Sequence, residues 1–132
     1  MPLSKLCYGA AAALSLLGAA AHELAGAPLV LEPLARSGLP PEVIWLHHFS
    51  WHVGTIAVLA MAAMFVAAIW HPAATLLAGI ASAMSAGFAA LGVSLAVFGD
   101  SVLWTTPAPY PWTLVALLGA AGVMLARPRR QI

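Results

Sequence analysis

Charge is what this sequence has least of: five Lys or Arg and four Asp or Glu in 132 residues. A water-soluble domain carries about a quarter charged residues, so these side chains cannot cover a water-facing surface. Hydrophobic residues make up 63% of the chain, and the mean hydropathy is +0.97. A bilayer removes the need for surface polarity, because side chains that face lipid need none. Cysteine is nearly absent as well. Cys7 alone excludes an internal disulfide and any cysteine-based zinc knuckle. A net charge of +1 without a basic, aromatic-interleaved stripe excludes a nucleic-acid partner. No glycine-rich phosphate loop and no serine in a nucleophile motif is present. The length suits one membrane domain over 1–132 and leaves no room for a separate soluble one.

What is there is long uncharged sequence. Between Glu42 and Asp100 no Asp, Glu, Lys or Arg occurs, a run ample for two helices that each cross ~30 Å of hydrocarbon. It divides at Trp70-His71-Pro72, since proline suits the first turn of a helix and disrupts an interior. An apolar stretch precedes it and another follows the proline-rich turn from Thr106 to Pro111. The expectation is an all-α membrane protein, a bundle of four transmembrane helices over 4–23, 41–70, 73–99 and 111–126, with an outer loop over 24–40.

Charge placement orients the bundle. Lys5 precedes the apolar run of the first helix, and Arg127, Arg129 and Arg130 follow the fourth. The positive-inside rule makes their common side cytoplasmic, so both termini are expected inside a bacterial inner membrane. Glu23, Glu32, Glu42 and Asp100 all fall on the outer side, with only Arg36 among them. A second reading takes Lys5, the apolar run and Ala19-Ala20-Ala21 as a secretory signal. Cleavage there would leave three spans and a new N-terminus at His22.

Gly79, Ala83 and Gly87 recur at four-residue spacing on the third helix. Such rows let helix backbones approach closely in lipid, so this row is expected to pack inside the bundle and to make the third helix central. A homodimer face is the other use of such a row. Gly119 and Val123 form a weaker version on the fourth helix.

Four of the five histidines fall on the outer side: His22, His47, His48 and His52. His48 and His52 are four apart and share one helix face, the spacing by which a helix offers two imidazoles to one metal. His22 and Glu23 end the first helix at the same level and complete a site if the first two helices are neighbours. The expected ligands are therefore His22, Glu23, His48 and His52, with His47, Thr55 and Asp100 as supporting groups. Imidazole with carboxylate suits copper, zinc or iron and does not suit magnesium or calcium. A b-type haem between His22 and His52 ranks below a metal ion, because Arg36 alone is on hand for its propionates.

The motifs His22-Glu23, Gly26, Pro33-Leu34, Leu39-Pro40, Trp51-His52 with Thr55, and Pro111-Trp112 resemble those of a group of small, largely uncharacterised bacterial integral membrane proteins. That group has a histidine late in helix one and a Trp-His motif in helix two. Here its arginine-rich start of helix two is replaced by His47-His48-Phe49-Ser50. The resemblance implies four spans and points at His22 and His52, and it carries no activity. Three functions are then in play: a metal-binding, redox-active membrane protein; an accessory or assembly subunit of a larger membrane complex or a homo-oligomer; and a transporter or channel. The last is disfavoured by the lack of a broken central helix or an inverted repeat.

Overall fold

The computed structural model describes residues 1–126, and the cluster Arg127, Arg129 and Arg130 lies outside them. Within that range the ordered elements are all helical. Helix α1 runs Leu3–Ala21 and passes through a π-helical turn, His22–Gly26, directly into α2, Ala27–Ala35. Helices α3 (Pro41–Trp70), α4 (Thr75–Phe98) and α5 (Pro111–Ala126) follow, with short 3-10 turns at Pro72–Ala74 and Ser101–Thr105. Three helical rods are long and apolar enough to cross a membrane: the composite Leu3–Ala35, then Pro41–Trp70 and Pro72–Phe98. Helix α5 is apolar but has only 16 residues.

The rods form a closed ring in which α1 packs on α3 and α5, and α4 packs on the same two helices. Each contributes a stripe at helical spacing: Tyr8, Ala11, Ala12, Ser15 and Ala19 from α1; Val58, Met61, Ala62, Phe65 and Ala68 from α3; Ala78, Ala81, Ser82 and Ser85 from α4; Val115, Gly119 and Gly122 from α5. Small residues predominate, so backbones come close and dispersion contacts hold the helices together. The buried serines add no interhelical polarity of consequence. Ser15, Ser82 and Ser85 each donate to the carbonyl four residues back, at 2.8, 2.7 and 2.9 Å.

Two expectations need correction. The row Gly79, Ala83, Gly87 does not pack inside the bundle: Ala83 and Gly87 are exposed, and nothing lies within 4 Å of a Cβ placed on either glycine. The inward face of α4 is the adjacent Ala78-Ala81-Ser82-Ser85 stripe, and α4 has two neighbours like every other rod, so it is not central. Close approach falls to α5 instead. A Cβ on Gly119 would sit 2.7 Å from Phe65 Cε1, and one on Gly122 would sit 2.5 Å from Tyr8 Cε1.

The second correction concerns 24–40, expected as an outer loop. It is helical through Ala35. Leu, Ala and Glu favour helix, and Pro28 falls in the first turn of α2, where its missing N–H does least damage. Leu31 packs against α3 and is 7% exposed. The chain turns only at Gly38, whose φ of 73° is open to glycine at no steric cost, and at Leu39-Pro40, where proline disfavours a helical predecessor.

Candidate functional site

The π turn determines where the polar residues at the end of α1 point. It holds one residue more per turn than the α-helix below it, and such turns often mark functional positions. Its sequence is His22-Glu23-Leu24-Ala25-Gly26. Because α1 neighbours α3, the turn faces a patch of α3 made of Trp51, His52, Gly54 and Thr55. Trp51, Gly54 and Thr55 share one helix face by their three- and four-residue spacing.

Glu23 Oε1 accepts two hydrogen bonds, a short one from Thr55 Oγ1 and one from His52 Nδ1 at 3.1 Å. A carboxylate only accepts, so His52 carries its proton on Nδ1 and a neutral ring leaves Nε2 as a bare acceptor. Glu23 Oε2 makes no hydrogen bond among the described residues. The side chains of His52 and Glu23 are 52% and 30% exposed, which places the pair at the rim of the bundle.

His22 is drawn into a different contact. Its ring lies flat on the indole of Trp51, with centroids 3.9 Å apart and planes 9° from parallel. Its Nε2 donates a long bond of 3.3 Å to the backbone carbonyl of Trp51. Of the two glycines beside the stack, Gly26 is the one that gives it room. A Cβ on Gly26 would stand 3.0 Å from Trp51 Cζ2, and one on Gly54 would stand 3.9 Å from His22 Nε2. Trp51 Nε1 is buried without a partner among the described residues.

The structure thus brings together Glu23, His52 and Thr55, and seats His22 beside them on Trp51. The remaining residues of the expected site stand apart. His48 is one turn away on α3, tilted against Trp45, with its ring centroid 6.4 Å from that of His52. His47 leans toward Trp51 at 6.5 Å. Asp100 caps the 3-10 turn that follows α4, accepting from Val102 N at 2.9 Å. Arg36, the one cation considered for haem propionates, pairs with Glu32 at 3.7 Å on the exposed tip of α2. Among the described residues no three of His, Cys, Asp and Glu lie close enough to share a metal ion.

Sequence reasoning misses Trp51, Gly26 and Gly54 as parts of the site. The face shared by Trp51, Gly54 and Thr55 is a signal that could have found two of them, because glycine beside an aromatic at helical spacing marks close approach of a second helix.

Beside this cluster lies an apolar groove of about 320 Å³ between α1 and α3, lined by Leu16, Ala19, Ala20, Leu24 and Leu59 and ending on Glu23 and Thr55. No protein-family model, no curated protein and no solved structure matches this chain.

Proposed function

We propose that this chain is a four-span protein of the bacterial inner membrane, with both termini cytoplasmic, that recognises a ligand at the outer face through Glu23, His52 and Thr55. The charge distribution of the sequence supports the orientation. The level of the cluster agrees with it: nineteen residues of α1 precede the π turn, about 28 Å of helix, close to one hydrocarbon thickness. The observation that carries the recognition role is the pair of free acceptors. A strut between two helices would use up its polar atoms, whereas here Glu23 Oε2 and His52 Nε2 remain open at the rim. Ionisable groups set at the end of an otherwise apolar helix are costly unless they are used.

The test is a thermal-shift panel on full-length protein in nanodiscs, using fractionated polar lipids and divalent metals. At least one class should raise the melting temperature of the wild type and leave Glu23→Gln and His52→Gln unmoved. A cluster that only braces the helices gives lower melting temperatures in both variants and no ligand-dependent shift in any protein. That outcome would end the reading.

One observation favours a second reading, a transition metal bound through His52 and His48. A carboxylate on Nδ1 orients an imidazole and raises the basicity of its Nε2, the arrangement that commonly supports metal-ligating histidines. Glu23 is then the supporting group and not a ligand, and water or a partner completes the coordination. Stoichiometric copper or zinc on untagged protein, lost in a His48→Ala, His52→Ala double variant, would establish it. No binding on titration rejects it.

A further inference from the structure

We infer that the groove between α1 and α3 holds the tail of a membrane amphiphile whose head carries a primary ammonium, seated on Glu23. This rests on the recognition role proposed for the cluster and names its ligand class. The groove walls are Leu16, Ala19, Ala20, Leu24 and Leu59, and its end is the Glu23 carboxylate with the Thr55 hydroxyl. Leu16, Ala20, Leu24 and Leu59 are exposed, so the groove opens on the lipid side of the bundle. An apolar channel with one polar end fits a molecule with a tail and a head.

The donor and acceptor inventory selects the head. Thr55 Oγ1 and His52 Nδ1 already donate to Glu23 Oε1. The free atoms are His52 Nε2 and Glu23 Oε2, and the carboxylate oxygen on which a head group would sit accepts. A ligand here must therefore donate. An ammonium is three donors and no acceptor, whereas phosphate and carbonyl oxygens only accept. Charge points the same way: the acids Glu23, Glu32, Glu42 and Asp100 share the outer end with Arg36 as the single cation assigned there by the sequence. An anionic head would meet like charge, and a hydroxyl head would satisfy the acceptors without the ionic attraction.

Native mass spectrometry of full-length protein released from nanodiscs tests the assignment. Phosphatidylethanolamine, phosphatidylglycerol, phosphatidylcholine and diacylglycerol are supplied at equal fraction. Phosphatidylethanolamine should be retained about tenfold over phosphatidylglycerol, the size of one charge-assisted hydrogen bond. Phosphatidylcholine, whose quaternary ammonium carries the charge but cannot donate, should be retained less than phosphatidylethanolamine. The preference should vanish in Glu23→Gln. It should also vanish in Ala20→Phe, which fills the groove without touching the partners of Glu23 and serves if the first variant does not fold. Equal retention of the amine and anionic lipids, or a preference unchanged in either folded variant, overturns the inference. Preferential retention of diacylglycerol, lost in Glu23→Gln, would overturn the ammonium assignment while sustaining the recognition role.

Discussion

Replacing Gly119 by alanine should be the most damaging single-methyl change in the bundle. At this position α5 meets α3 and α4 together. The new Cβ would stand 2.7 and 2.9 Å from Phe65 Cε1 and Cζ and closer still to Ser82 Oγ. Carbon atoms in contact prefer about 3.5–4.0 Å, so the ring is short of room by nearly an ångström. Phe65 is wholly buried and Ser82 is 8% exposed, which leaves neither free to swing outward. Forcing a methyl into such a site costs about 1–3 kcal/mol through off-rotamer side chains or a shifted helix. The matched controls are Gly79→Ala and Gly87→Ala, where nothing lies within 4 Å. There the change should be neutral, or stabilising by up to about 1 kcal/mol of helix propensity. Unfolding in mixed detergent and denaturing surfactant, followed by helical circular dichroism, measures all three on one scale. Adding Ser82→Ala to Gly119→Ala should recover part of the loss. If Gly119→Ala matches the wild type while Gly87→Ala unfolds readily, the ring of four rods is wrong and the row on α4 is an interface inside the bundle.

Other outcomes follow from single contacts. Tyr8 is 2% exposed, and its hydroxyl stands beside the Thr75 side chain without closing a good hydrogen bond among the described residues, so Tyr8→Phe should leave stability within about 1 kcal/mol of the wild type in the same titration. Trp51→Phe should leave stability nearly unchanged, since its indole N–H is unpartnered, while Trp51→Ala should lose the His22 stack and raise amide exchange across 22–26. Gly26→Val should do the same through its contact with the Trp51 ring, and unaltered exchange in both would discount the stack. In a Cys7→Ser background, a membrane-impermeant maleimide added to intact spheroplasts should label Gly38→Cys and not Lys5→Cys. Labelling of Lys5→Cys would invert the orientation.

The helical class is legible because hydropathy and the near absence of charge are properties of composition, and because Pro41 and Pro72 punctuate the long uncharged run where helices begin. Packing is less legible. Gly79, Ala83 and Gly87 carry the strongest small-residue spacing, yet spacing alone cannot say which face of α4 turns inward, since Ala78, Ala81, Ser82 and Ser85 are equally small. The site is legible in its members and not in its pairing. His52 and Thr55 share a face with each other, but the partner they meet depends on the π turn, which has no periodic signature. A reader of 22–26 as ordinary helix end or loop assigns Glu23 and His22 to a common ligand shell, whereas the turn sends Glu23 to His52 and His22 to Trp51.

The same turn gives the chain a movable joint in its numbering. Deleting Ala25 would remove the additional residue and let α1 and α2 join as one regular α-helix. Because the π turn already takes up that residue, everything beyond the deletion would keep roughly its present orientation relative to everything before it. The ring formed by α1, α3, α4 and α5 would be untouched, and α2 would keep the face it turns to α3, while the pairing of His22 and Glu23 with α3 would be lost. A one-residue deletion, usually the harshest lesion a helix can suffer, would here fall only on the turn itself. The bundle and the arm above it can therefore diverge in sequence length independently.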